Sequence, residues 1–235
     1  MLFAAATLQP RSFARHAQWA LAGLSPPMDV LGVEHIPACG PCLVTCNHYS
    51  RPVFGAWWIA LAISAAIASH RHPTADPEIH WVMTAAWTFP ESKLKARVLT
   101  PVTRWAFNRM AQVYGFVTMP PMPPAPDEVE ARAIAVLRTI RLAWRVAPQG
   151  GMLGLAPEGM DTTGKLGELP QGAGTFISLL LKAGLPLLPV GVTEQAGRLR
   201  LSFGQLFIPD IPPRRVDRDL TVSRQVMTSI ARQLS

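Results

Sequence analysis

The sequence predicts an α/β fold: a single domain with a mostly parallel mixed sheet flanked by helices. Two observations carry this. Short apolar runs bounded by turn residues alternate with longer segments of helical periodicity, the pattern of parallel strands joined by crossover helices. The chain has 235 residues and no internal repeat, enough to bury one substantial core.

Taken in order, residues 1–30 read as an N-terminal helical segment, and residues 31–235 as the α/β domain. Phe13, Trp19 and Leu21 interleave with Arg11, Arg15 and His16, which fits an interfacial helix or one docked on the domain. The stretch lacks the early basic region and long apolar block of a secretory signal. "CLVTC" at 42–46 reads as a strand feeding an apolar helix over 53–69, whose apolar length falls just short of a membrane span. "IHWVMTA" is a second strand, 92–114 a helix, and "YGFVTM" a third strand. Asp127 is placed to cap a helix over about 127–147. In that helix Ile134, Leu137, Ile140 and Trp144 share one arc, and Arg138, Arg141 and Arg145 share another, expected to be solvated. "GMLGLA" is a fourth strand; a helix over 172–183 and the strands "PLLPVGV" and "RLRLSFG" follow. Leu220, Met227, Ile230 and Leu234 mark an amphipathic final helix.

Composition narrows the partners. The chain is 49% hydrophobic and 16% charged, with net charge +7 and seven Trp against two Tyr. Trp favours membrane–water interfaces, and positive charge suits an anionic partner such as a lipid surface or a phosphorylated substrate. Basic residues are spread along the chain, with no nucleic-acid-binding signature, so no nucleic-acid partner is expected. Cys39, Cys42 and Cys46 are odd in number and crowded together, which disfavours a disulfide framework. A strand over 42–46 holds Cys42 and Cys46 roughly 13 Å apart, too far for one metal ion. No metal is expected.

In open parallel sheets the site lies beyond the carboxyl ends of the strands. His48 and Glu158 each follow a predicted strand, so both should reach that edge. Imidazole, with an unperturbed pKa near 6.5, suits a general base at neutral pH.

Four stretches in order, spanning residues 31–194, resemble the blocks of the glycerolipid acyltransferases, typified by 1-acylglycerol-3-phosphate acyltransferase. "LGVEHIPACGPCLVTCNHYS" resembles the lead-in and the first block, Asn-His-x-Ser followed by Asp. "YGFVTM" sits where the second block lies. "LAPEGMDTTGKLGELPQGAG" resembles the third and "LPLLPVGV" the fourth. The resemblance implies transfer of an acyl group from acyl-CoA or acyl carrier protein, as co-substrate rather than bound cofactor, to a hydroxyl of a lipid-like acceptor. It implies His48 as the base that deprotonates that hydroxyl, with Glu158 near the acceptor and the base. Asn47, Ser50, Arg51, Pro157, Gly159 and Lys165 are the expected substrate-binding positions. A peripheral or monotopic location on the cytoplasmic side of the membrane goes with that reading.

The departures from the family pattern are specific. The motif Asp, five residues after the His, is Val53 here. The Arg of the third block is Asp161, the second block ends in Pro120-Pro121, and a further basic position is Pro170. Those basic residues hold the acceptor's phosphate in the family, so an acceptor without glycerol phosphate is expected. In the serine-protease triad, neutralising the orienting Asp costs about 10⁴ in rate. Asp161 or Glu158 is expected to fill that role, and Arg51 or Lys165 to supply positive charge. Two alternatives stand beside catalysis by His48: a degenerate relative that binds lipid or acyl chains without turnover, and a thioesterase using Cys46 and His48 as nucleophile and base.

Overall fold

A strand buried at every residue needs cover on both faces, and Cys42–Cys46 (β2) is such a strand. The computed structural model describes residues 9–23, 27–49, 57–89, 91–120, 126–159 and 166–235. Among them seven strands form one sheet in the order β1-β7-β6-β2-β5-β3-β4. The others are Asp29–Leu31 (β1), Ile79–Thr84 (β3), Val117–Met119 (β4), Met152–Leu155 (β5), Leu187–Gln195 (β6) and Arg198–Phe203 (β7). Every pairing is parallel except that of β6 with β7, which a tight turn joins. The expected mostly parallel mixed sheet is what forms.

Side-chain alternation along β2 divides the core in two. Cys42, Val44 and Cys46 face a layer made by Phe13–Leu21 (α1), Trp57–His70 (α2) and the last turn of Lys93–Tyr114 (α3). Leu43 faces a second layer made by Val129–Val146 (α4), Ala173–Leu181 (α5) and Arg215–Ala231 (α6). Helix α2 is apolar all round and largely buried, and no described helix is long and apolar enough to cross a membrane. Its buried Ser64 accepts the Trp81 indole N–H at 3.0 Å. The Trp81 ring in turn lies over Gly154, where a Cβ would come within 2.6 Å of it.

Helix α1 docks on the domain. Phe13 and Ala17 join the same core as α2 and the sheet, while Trp19 points outward, 81% exposed. The Ser12 hydroxyl caps the helix by accepting the Arg15 N–H. Glu78 accepts the N–H groups of Phe13 and Ala14 at 3.0 and 3.3 Å, which suits the positive end of a helix.

Three expectations need correction, and one strand is not predicted by the sequence. Strand β1 is too short to show periodicity in the sequence; pairing with β7 creates it. Asp127 lies in a 3-10 turn over Pro126–Glu128, and α4 begins after it without a side-chain cap. On α4 the arc of Ile134, Leu137 and Trp144 is exposed; Ala135, Thr139, Leu142, Ala143 and Val146 pack inward. Small residues on that inner face let the helix approach the sheet closely, and hydrophobicity alone does not show which arc fits. On α6 the buried stripe is Val222, Val226 and Ile230, and Leu220 is exposed.

Candidate active site

Strand β2 ends at Cys46, and the next two residues set the site. The Asn47 carboxamide extends the ladder between β2 and β6 by one more rung. Its Nδ2 donates to the Val192 carbonyl at 2.9 Å and its Oδ1 accepts the Val192 N–H at 2.7 Å. Asn47 is buried, and both hydrogen-bonding groups of the amide are thereby used on the main chain. This pairing anchors the chain just before the half-buried His48.

Strand β5 lies beside β2, in parallel register from Cys42↔Met152 to Thr45↔Leu155. Its exit runs through Ala156 and the buried Pro157 to Glu158, then turns at Gly159. Gly159 has φ 69°, in the left-handed region that favours glycine, and its N–H donates to the Ala156 carbonyl at 3.2 Å. That turn sends Glu158 inward; it is only 1% exposed.

The Glu158 carboxylate joins two loops. Oε2 accepts the main-chain N–H of His48, and Oε1 accepts that of Gly167, each at 2.5 Å. An ionised carboxylate taking two amides forms charge-assisted bonds, stronger than neutral ones. The expected meeting of His48 and Glu158 at one sheet edge therefore occurs, and Glu158 holds the backbone that carries the imidazole. Beside them the Tyr49 hydroxyl donates to Glu194 Oε2 at 3.0 Å.

Cys46 is fully shielded in the core, and its thiol is pushed up to about 12, first by burial and then by the charge of Glu158. Cys42 is also raised to about 12, by burial. A thiol with so high a pKa has almost no thiolate at neutral pH, which disfavours Cys46 as a nucleophile. At the end of β4, Arg132 reaches from α4 and donates to the Pro120 carbonyl at 3.0 Å; burial lowers its pKa. Ser50, Arg51, Val53, Asp161 and Lys165 lie outside the described residues. Among those described, no three His, Cys, Asp or Glu side chains are placed to hold a metal ion.

No protein-family model matches this chain, and no curated protein does. Among solved structures it is similar to the 1-acyl-sn-glycerophosphate (LPA) acyltransferase PlsC from Thermotoga maritima. Identity is 16% and the TM-score 0.47, over 94% of this chain and 76% of that one. A likeness at that level says nothing of substrate or reaction, and the functional reading below rests on the residues themselves.

The sequence assigns no role to Gly167, Val192, Tyr49 or Glu194, although the first three fall within the quoted blocks. Their partners stand between 9 and 145 residues away, and these contacts exist only in the fold.

Proposed function

We propose that the protein is an acyltransferase acting at a membrane surface. It moves a fatty acyl group from acyl-CoA or acyl carrier protein to a hydroxyl of a lipid-like acceptor without the usual glycerol phosphate. The observation that carries the reading is the meeting of His48 and Glu158 at the carboxyl edge of the adjacent strands β2 and β5. His48 takes the hydroxyl proton as the acceptor oxygen attacks the thioester carbonyl. The tetrahedral intermediate then expels the thiolate, which takes that proton back from the imidazolium and leaves as free thiol. Glu158 acts as a positioning residue, holding the main chain of His48 and of Gly167. The protein acts peripherally, from the cytoplasmic side.

Two observations favour a second reading, a lipid-binding relative without turnover. The Glu158 carboxylate is engaged by two amides, and Val53 stands where the family has Asp. An assay of thiol release from acyl-CoA, run with phosphorylated and unphosphorylated lipid acceptors, separates the two. For the wild type it should give acceptor-dependent release, and His48→Ala should lower it by about 10²–10⁴-fold. Lipid binding without release in either form would establish the second reading.

A further inference from the structure

Helix α3 is built unlike the other helices of this fold. It is 22 residues long, about 33 Å, yet only Ala111, Val113 and Tyr114 in its last turns are buried. Because it follows β3 and returns to the parallel β4, it starts at the sheet edge that carries His48. The Trp87 N–H, three residues past the end of β3, donates to Thr103 Oγ1 at 3.1 Å. Residues 93–102 therefore run on beyond that edge.

This projecting portion is amphipathic in an unusual sense. Leu94, Val98, Val102 and Trp105 form one stripe, and all four are exposed, Leu94 to 74%. Their spacing puts them within about one quarter of the helix circumference. The whole helix carries Lys93, Lys95, Arg97, Arg104 and Arg109 and no acidic residue. Three of those cations fall in its first five residues, where the helix dipole already places positive charge. Such an arrangement opposes helix stability unless an anion faces it. Arg97 and Trp105 also line an open cleft of about 400 Å³ beside the stripe, together with Arg104, which Glu128 already pairs at 2.8 Å.

We propose that the N-terminal half of α3 is the membrane-docking element: its apolar stripe enters an anionic lipid surface and Lys93, Lys95 and Arg97 face the lipid phosphates. Exposed apolar side chains supply the insertion, and the cations select the charge of the surface. Docked in this way, the sheet edge with His48 is held next to the bilayer, where a lipid acceptor resides. That last consequence rests on the proposed acyltransfer; the docking itself does not.

The test uses the full-length protein and vesicles of phosphatidylcholine with or without phosphatidylglycerol, read by co-sedimentation. Wild type should bind the anionic vesicles and bind neutral ones weakly, with affinity falling as salt is raised. The double variant Val98→Glu/Val102→Glu should lose roughly ten-fold or more of that binding. Lys93→Gln/Lys95→Gln should lose about five-fold per cation, on anionic vesicles only. Neither variant should melt below the wild type, because the altered side chains are exposed and the lysine pair opposes the helix dipole. The proposal is overturned if wild type ignores anionic vesicles or if the glutamate pair binds them equally well. It is also overturned if that pair dissolves a dimer in sedimentation velocity, or abolishes binding of an acidic carrier protein, with vesicle binding intact. His48→Ala, which tests the reaction, should leave vesicle binding unchanged, so the two readings fail separately.

Discussion

Glu158 gives the sharpest test of how the site is built. Its carboxylate is buried and accepts the amides of His48 and Gly167. Glu158→Ala leaves both N–H groups without that acceptor. Hydrogen bonds to a charged group contribute about 1.5–3 kcal/mol each, so the pair together is worth about 3–6 kcal/mol. For a domain of this size each kcal/mol moves Tm by roughly 2–4 °C, which places the drop at about 6 °C or more. Glu158→Gln is the more discriminating variant. Its carboxamide keeps one acceptor oxygen and turns an NH₂ group toward the other amide, so a donor meets a donor. It should therefore be destabilised by a similar amount, although it is nearly isosteric. Circular dichroism through a thermal ramp reads Tm, and thiol release from acyl-CoA reads turnover; both should fall in both variants. A Glu158→Gln protein melting within about 1 °C of wild type, with turnover alone reduced, would refute the positioning role and make the carboxylate a direct participant in the chemistry.

Three further predictions concern the thiols and the acceptor. Cys39 is exposed whereas Cys42 and Cys46 are buried, so a thiol reagent at neutral pH should label Cys39 rapidly and the other two only on unfolding. The folded pKa of about 12 for both lies above the unfolded value near 8.5. Between the two the unfolded chain ionises first, so stability should fall as pH rises through that window. Rapid labelling of Cys46 in the native protein would revive it as a nucleophile. Arg132→Ala removes a charge-assisted bond to Pro120 and should cost about 1–3 kcal/mol, read as a lower Tm, with the acceptor KM unchanged. A KM increase confined to phosphorylated acceptors would overturn the proposal that the acceptor lacks phosphate and make Arg132 its anchor.

Much of the fold was legible because its signals are local. Alternating apolar runs and helical periods gave six of the seven strands, from β2 to β7, and the order in which helices follow them. The same order places His48 and Glu158 at one sheet edge, since consecutive crossovers fix which strand ends point together. On α4 and α6 the periodicity indicated a helix but not which arc packs inward. The exposed Ile134, Leu137 and Trp144 are as apolar as the Leu142 and Val146 that pack, and only the shape of the opposing sheet distinguishes them.

The sequence by itself determined the α/β class, the strand–helix order and the pair His48 and Glu158 as candidates, because each is encoded within a few consecutive residues. Tertiary structure alone decided what those residues do to one another. The bond from His48 to Glu158 spans 110 residues and that from Asn47 to Val192 spans 145, and such contacts exist only once the strands have assembled side by side. It also decided that Glu158 holds the main chain of the histidine, and that α3 carries its apolar stripe out past the sheet, because packing rather than pattern determines which apolar surface is left uncovered.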